Sequence, residues 1–223
     1  MPGVANVSSI VVAGDALGAT WQPELISARS SFEFDRAFTS LARHELAQGA
    51  WLDHECSWAR GTDDLCARAI ASIPWQSNTV TMYDRIVAEP RLTCFALHDH
   101  LDEFPEVEAM SIALSARYER DLCRIGAALY RDGNDSVAWH GDRFPTDMVE
   151  PMVAIVSLGA RRQLRVRPRG GGTSSIGVTL AAGDLVVLGG TVHRTHEHCV
   201  PKTRRAVGAR LSVMFREPSS IAG

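Results

Sequence analysis

The stretch Val137-Ala138-Trp139-His140-Gly141-Asp142 decides how the second half of the chain is read. Side chains alternate along an extended segment, so His140 and Asp142, two residues apart, point the same way. One imidazole from a neighbouring strand, for which His198 is the candidate, completes three ligands on one face of a metal ion. The opposite face then stays open to exchangeable ligands. A His-x-Asp pair is common by chance, so its weight comes from its surroundings.

Those surroundings repeat with a period of two. Segments 127–131, 137–142, 152–158, 163–168, 176–180, 184–188 and 209–216 are short strand candidates. Asp132-Gly133-Asn134, Gly170-Gly171-Gly172, Ala182-Gly183-Asp184 and Gly189-Gly190 punctuate them as turns. Many short, evenly spaced strands predict a sandwich or jelly roll, with helices buttressing one sheet: an α+β fold.

The helices are expected upstream. Residues 31–46 read as helical, with Ser31 as cap, Glu33 and Asp35 in the first turn, and Phe34, Phe38, Leu41 and Leu46 recurring. A second helix is predicted over 62–72, capped by Thr62, with Leu65, Ala69 and Ile70 on one face. Pro74-Trp75 ends it. Strands are predicted over 79–87 and 92–97, then a helix over 105–124 burying Val107, Met110, Ile112, Leu114, Tyr118 and Leu122. Residues 1–31, small and polar with a short apolar run at 9–13, read as a strand or a loose arm. The organisation expected is an N-terminal extension (1–74), one core domain with its lid (75–217) and a short tail (218–223).

Of the 223 residues 45% are apolar, enough for one sizeable core. No apolar run is long enough to cross a bilayer, and the start of the chain lacks the layout of a signal peptide. Five cysteines with no CxxC pair argue against both a disulfide framework and a zinc ribbon. A cytoplasmic protein with reduced thiols is expected, with no membrane association and no obligate protein partner. The net charge of −3 hides an asymmetry: residues 1–111 sum to −9 and residues 112–223 to +6, with Lys202 the only lysine. An excess of arginine beside the candidate metal site favours an anionic partner.

Arg210-Leu211-Ser212-Val213-Met214-Phe215-Arg216 places Arg210, Ser212, Met214 and Arg216 on one strand face. Guanidinium groups inside a barrel are costly unless an anion neutralises them, and a small dicarboxylate fits an arginine fork. Arg165, Arg167 and Arg169 also share a face next to a Gly-rich turn. They are candidate phosphate contacts, or else a solvated strand face together with Arg161 and Arg162. His193 and His196 read as surface or metal-adjacent residues rather than ligands. His98 and His100 read as solvated, and Cys199 as a thiol exposed to oxidation near the metal.

The motifs resemble the AlkB-type Fe(II)/2-oxoglutarate dioxygenases. The resemblance is carried by Leu129-Tyr130-Arg131-Asp132-Gly133, the His140-Gly141-Asp142 segment, Val153 through Gly159, Arg167-Pro168-Arg169-Gly170-Gly171-Gly172, Gly183-Asp184-Leu185, Glu197 through Thr203 and Arg210 through Arg216. It covers about residues 75–217, and Met82-Tyr83-Asp84-Arg85 and Pro90-Arg91-Leu92 resemble the family's substrate-facing lid. It implies a double-stranded β-helix core, iron ligands His140, Asp142 and His198, and a 2-oxoglutarate site of Tyr130, Arg210, Ser212 and Arg216. Ala128 and Ser212 stand where many members carry asparagine, and Arg143-Phe144-Pro145 replace the acidic residue that often follows the His-x-Asp. Fe(II), 2-oxoglutarate and O2 are the implied cofactors, and alkylated DNA or RNA the implied substrate. Oxidative demethylation would release formaldehyde, succinate and CO2, with the target base flipped out to reach the iron. Trp75, Tyr83 and Trp139 are candidate stacking platforms, and Arg85 a further substrate contact. Two alternatives stand beside this one: the same chemistry on a protein, lipid or metabolite, and a non-catalytic nucleic-acid-binding module on the same fold.

Overall fold

Alternation along a few central strands builds two cores from one sheet. The computed structural model of the chain describes residues 31–82, 85–171 and 176–218. In chain order the elements are β1 (Glu33–Phe34), β2 (Ala42–Glu45), β3 (Ala50–Glu55), β4 (Ala59–Arg60), α1 (Asp63–Ser72), β5 (Thr79–Met82) and β6 (Arg85–Ala88). There follow β7 (Leu92–Cys94), α2 (Pro105–Tyr118), β8 (Arg124–Tyr130), β9 (Val137–His140), β10 (Val153–Gly159) and β11 (Arg162–Pro168). The last are β12 (Ile176–Leu180), β13 (Leu185–Gly190), α3 (Val192–Thr195), β14 (His196–Val200) and β15 (Arg210–Arg216).

A seven-stranded sheet runs β2-β3-β13-β10-β15-β8-β7, and a four-stranded sheet β12-β11-β14-β9 faces it; their ladders are antiparallel. On β10, Val153 and Ile155 pack between the two sheets, whereas Ala154, Val156 and Leu158 pack on the helix side. On β15, Leu211, Val213 and Phe215 fill the helix side, which leaves Arg210, Ser212, Met214 and Arg216 facing the small sheet. A slip of one residue would exchange the two sets, so the two cores together fix the register. Burying a side chain such as Phe215 contributes roughly 1.5–3 kcal/mol. This is the jelly-roll core with buttressing helices that the strand spacing predicts.

Between residues 31 and 46 the expected helix is absent. Asp35 instead accepts the backbone N–H groups of Ala37 (2.8 Å) and Thr39 (2.6 Å), which builds a turn. Phe34 and Phe38 pack on Trp58 at 4.9 and 5.6 Å, and β2 pairs with β3. Tertiary pairing overrides a pattern that fits a helix equally well. The helix α1 forms as predicted, burying Leu65, Cys66, Ala69 and Ile70, but Thr62 at its N-cap makes no side-chain capping bond.

The expected strand over 79–87 is two strands, β5 paired with β6; Tyr83 and Asp84 lie outside the described residues. The strand expected to reach residue 97 stops at Cys94, and a 3-10 segment occupies Leu97–Glu103. Helix α2 ends at Tyr118 rather than 124, because Glu119 turns left-handed (φ 53°) and the Leu122 N–H bonds the Ser115 hydroxyl at 3.0 Å. Leu122 is buried beyond the helix, while Ile112, expected inside, is 62% exposed. The apolar run at 9–13 lies outside the described residues. No helix among the described residues is long and apolar enough to cross a membrane.

Candidate active site

The small sheet brings the first ligands together. His140 on β9 stands opposite His198 on β14, with ring centroids 4.4 Å apart. β9 stops at His140, so Asp142 lies in the loop just beyond rather than on the predicted strand. Its carboxylate still reaches the same point: the donor atoms of His140, Asp142 and His198 lie within 4.8 Å of one another. His140 Nδ1 donates to the Ala138 carbonyl at 3.0 Å, which leaves Nε2 with its lone pair for a metal.

Burial pushes the Asp142 carboxyl upward, but Arg216, then His198, His193 and His140, outweigh it and hold it well below the ordinary carboxylate range. Burial, opposed by Asp142, lowers His198 to about 3, so its ring is neutral at pH 7, as a metal ligand requires. The donor set of two imidazoles and one carboxylate on one side of a point fits Fe(II) with open positions opposite.

Arg210 lies on β15, across the inter-sheet space from these ligands. It is 2% exposed, its Nε donates to the Ser157 hydroxyl at 2.9 Å, and its Nη1 is buried with no partner. Its guanidinium lies 5.3 Å from the Tyr130 ring, whose hydroxyl accepts from Arg91 at 3.2 Å. Arg162 faces the same ring at 5.5 Å. Burial lowers Arg210 to about 10, so it remains cationic at pH 7 with a donor aimed at nothing. A carboxylate is the group that satisfies such a donor. Ser212 sits two residues on, paired with Ala128 and Ser157.

Arg216 does not sit beside Arg210. They stand six residue steps apart, roughly 20 Å along β15, and Arg216 Nη2 lies 3.5 Å from Asp142. The two arginines therefore frame opposite ends of the inter-sheet space, Arg210 with its buried unpartnered Nη1 at one end and Arg216 beside the His140/Asp142/His198 group at the other.

His193, read as a surface or metal-adjacent residue, is 2% exposed, and its Nδ1 lies 3.5 Å from Asp142. Phe144 packs edge-on against it at 5.0 Å. His196 is buried as well but is not part of the ligand group. His98 and His100 pair loosely with Asp99 (3.7 Å) and Glu103 (3.6 Å).

The substrate candidates scatter. Trp75 packs against the core on the helix side of the large sheet, its indole N–H bonded to the Ile70 carbonyl at 3.0 Å, away from the metal ligands. Trp139 alternates with His140 and faces outward. Arg167 stacks on it at 4.0 Å and bonds Glu197 at 2.6 Å, with Arg165 5.9 Å from the same ring. Arg169 turns the other way: it packs over Gly141 and donates to the His193 carbonyl at 2.9 Å, bracing the ligand loop. Arg162, read as part of a charged face, is buried. The side chains of Tyr83 and Arg85 are not among those described.

Sequence reasoning gave no role to Ser157, placed Arg91 only in the lid-like segment, and read Arg162 as part of a charged face. The only hint at Ser157 is one hydroxyl inside the apolar run Val153 through Gly159.

A facial His/Asp/His set and a buried anion pocket inside a jelly roll define a class, the iron- and 2-oxoglutarate-dependent oxygenases. Residues 99–216, more than half of the chain, match the 2OG-Fe(II) oxygenase superfamily, and the chain belongs to it. Members use Fe(II), 2-oxoglutarate and O2. The chain is 26% identical over 186 residues to "DNA oxidative demethylase ALKBH2" of Arabidopsis thaliana, covering 65% of this chain and 58% of that protein. It is 25% identical over 214 residues to "Alpha-ketoglutarate-dependent dioxygenase alkB homolog 3" of Mus musculus, covering 87% and 73%. Among solved structures, "The structure of OsALKBH1" superposes with a TM-score of 0.52 at 15% identity over 79% of this chain and 100% of that one, which bears on the fold alone. AlkB homologues thus stand among its relatives, in keeping with the motifs.

Proposed function

We propose that this oxygenase oxidatively demethylates N-alkylated bases in DNA or RNA, releasing formaldehyde, succinate and CO2. One observation carries the proposal: His140, Asp142 and His198 converge on a single point, and the strand that brings Arg216 to them also carries the buried, half-satisfied Arg210. In this reading the three residues hold Fe(II), which supplies O2-dependent oxidation coupled to decarboxylation of 2-oxoglutarate. The remaining work belongs to the chain. Arg210, with Ser212 and the Tyr130 hydroxyl, binds the far carboxylate of 2-oxoglutarate, while Ser157 fixes the guanidinium orientation. Arg216 keeps Asp142 ionised and contributes positive charge at the near end. Arg169 and His193 hold the Asp142 loop, and the two sheets exclude water.

A base inside a duplex cannot reach a point between two sheets, so the nucleotide is flipped or enters single-stranded. Tyr83 and Arg85 are proposed to receive it. The excess of arginine after residue 111 supplies the attraction for phosphate. Arg165 and Arg167 form its outer-face part beside Trp139. The names of the relatives, one a DNA oxidative demethylase, support the substrate class.

The test is mass spectrometry of methylated oligonucleotides, single- and double-stranded, DNA and RNA, incubated with enzyme, Fe(II), 2-oxoglutarate and ascorbate. The expected result is loss of a methyl group with formaldehyde and succinate formed in equal amounts. Succinate release that no oligonucleotide raises above its background would transfer the chemistry to another substrate class.

A further inference from the structure

A second cluster of donor atoms lies at the far end of the barrel. We propose that His54, Cys56 and Asp184 form a second metal site, which takes a borderline-soft divalent cation of the zinc class. His54 lies on β3, Cys56 in the turn that follows, and Asp184 just before β13. β13 runs six residues to Gly190, and α3 with His193 comes next, so the two metal sites lie at opposite ends of that strand, roughly 20 Å apart.

The distances set this cluster apart from an ordinary ion pair. His54 Nε2 is 3.7 Å from Asp184 Oδ2 and 3.9 Å from Cys56 Sγ, and all three donor atoms lie within 4.8 Å of one another. The His54–Asp184 separation is longer than a good hydrogen bond between nitrogen and oxygen, and the His54–Cys56 contact lies at the outer limit of one to sulfur. They are slightly wider than the spacing of about 3.3–3.6 Å that bonds of about 2.0–2.3 Å impose around tetrahedral zinc. A contraction of a few tenths of an ångström closes the two pairs that involve His54, and the Cys56 side chain, on its exposed turn, moves in to complete the third. Imidazole, thiolate and carboxylate together match zinc chemistry, and an anionic thiolate with an anionic carboxylate balances a divalent charge.

The cluster is built on rigid backbone. The Asp184 carboxylate accepts Ser57 N–H at 2.8 Å and Ala181 N–H at 2.9 Å, one on each oxygen, and keeps a lone pair for a cation. Ala59 N–H bonds the Gly183 carbonyl at 2.9 Å, docking the Cys56 turn onto the Asp184 turn. Ser57, left-handed at φ 51°, makes the reversal that sets Cys56 over the carboxylate. Cys56 is exposed, so an ion can enter, and binding displaces its thiol proton.

Sulfur distinguishes this site from the oxygenase centre, whose donors are nitrogen and oxygen only. Anaerobic titration of iron-stripped full-length protein with Co(II) should bind two equivalents, one of them with a sulfur-to-cobalt charge-transfer band. Cys56→Ser should abolish the band and one equivalent while retaining the other, which also shows that the variant is folded. His54→Ala should weaken that equivalent at least tenfold, and Cys199→Ser should leave the band unchanged. Zn(II) should raise the melting temperature of His140→Ala protein but not of His140→Ala/Cys56→Ser protein. Absence of a sulfur band in the wild type, or a band that survives Cys56→Ser, overturns the proposal and leaves His54 and Asp184 a simple ion pair. Neither outcome depends on which substrate the oxygenase takes.

Discussion

His140 and His198 face each other directly across the ladder between β9 and β14, with ring centroids 4.4 Å apart. Two of the three proposed metal ligands are thus held face to face by sheet pairing. The third, Asp142, is placed by a loop that Arg169 and His193 brace.

Alanine at His140, Asp142 or His198 should reduce iron affinity by about 100-fold or more, since even residues that only support a ligand are worth about 10–100-fold. Loss of the visible charge-transfer band of the Fe(II)/2-oxoglutarate complex, with succinate release at background, is the expected readout. Retention of the band in any one variant removes that residue from the ligand set.

Arg210→Met should have opposite effects on binding and on folding. Losing two hydrogen bonds to a carboxylate costs about 3 kcal/mol, or roughly 100-fold in the 2-oxoglutarate dissociation constant. Removing a buried guanidinium with an unpartnered Nη1 should leave the melting temperature of the ligand-free protein unchanged or higher. Calorimetry and thermal melts separate the two effects. A variant that binds 2-oxoglutarate normally would place the anion pocket elsewhere.

Acid should destabilise the metal-stripped protein earlier than its carboxylates alone would. His193 is lowered to about 4 and His198 to about 3, both mainly by burial, from ordinary values near 6.5. Across that window the unfolded chain binds protons that the folded one refuses, so stability falls as pH drops below about 6.5. Each histidine contributes a slope of about 1.4 kcal/mol per pH unit, together nearly 3. Urea melts at pH 7, 6 and 5 should show the decline, and His193→Phe should reduce it.

Arg162→Met should be among the most damaging substitutions outside the site. The Arg162 guanidinium donates to the carbonyls of Asp132 (2.8 Å), Asp135 (2.7 Å) and Pro201 (2.8 Å), tying the approach to β9 to the exit from β14. Leaving the buried Asp135 carbonyl and the part-buried carbonyls of Asp132 and Pro201 without donors costs about 3 kcal/mol. Denaturant unfolding measures this, and iron affinity should fall with it, because the strap sets the spacing of His140 and His198.

The period-two stretches carried the small sheet and the centre of the large one because each strand has two chemically distinct faces, but β2 and β3 at the edge of the large sheet were not predicted as strands. The segment 31–46 misled because Phe34, Phe38 and Leu41 fit a helical face as well as a turn packed on Trp58. Nothing local shows that Asp35 will capture two backbone amides. Ser157 and Arg162 were illegible for a similar reason. A serine in an apolar strand and an arginine in a basic run acquire meaning only from partners 53 and 27–39 positions away. Trp139 was ambiguous by one residue: its neighbour faces the iron site, so it must face the other way.

β9 is only four residues long and forms the border of the small sheet, with an irregular register against β14. A cation shared by His140, Asp142 and His198 would rivet that border in place, doing what a fifth strand would otherwise do. Iron loading should then govern how readily a protease nicks the chain at Arg143, so metal starvation would expose the enzyme to turnover as well as silence it.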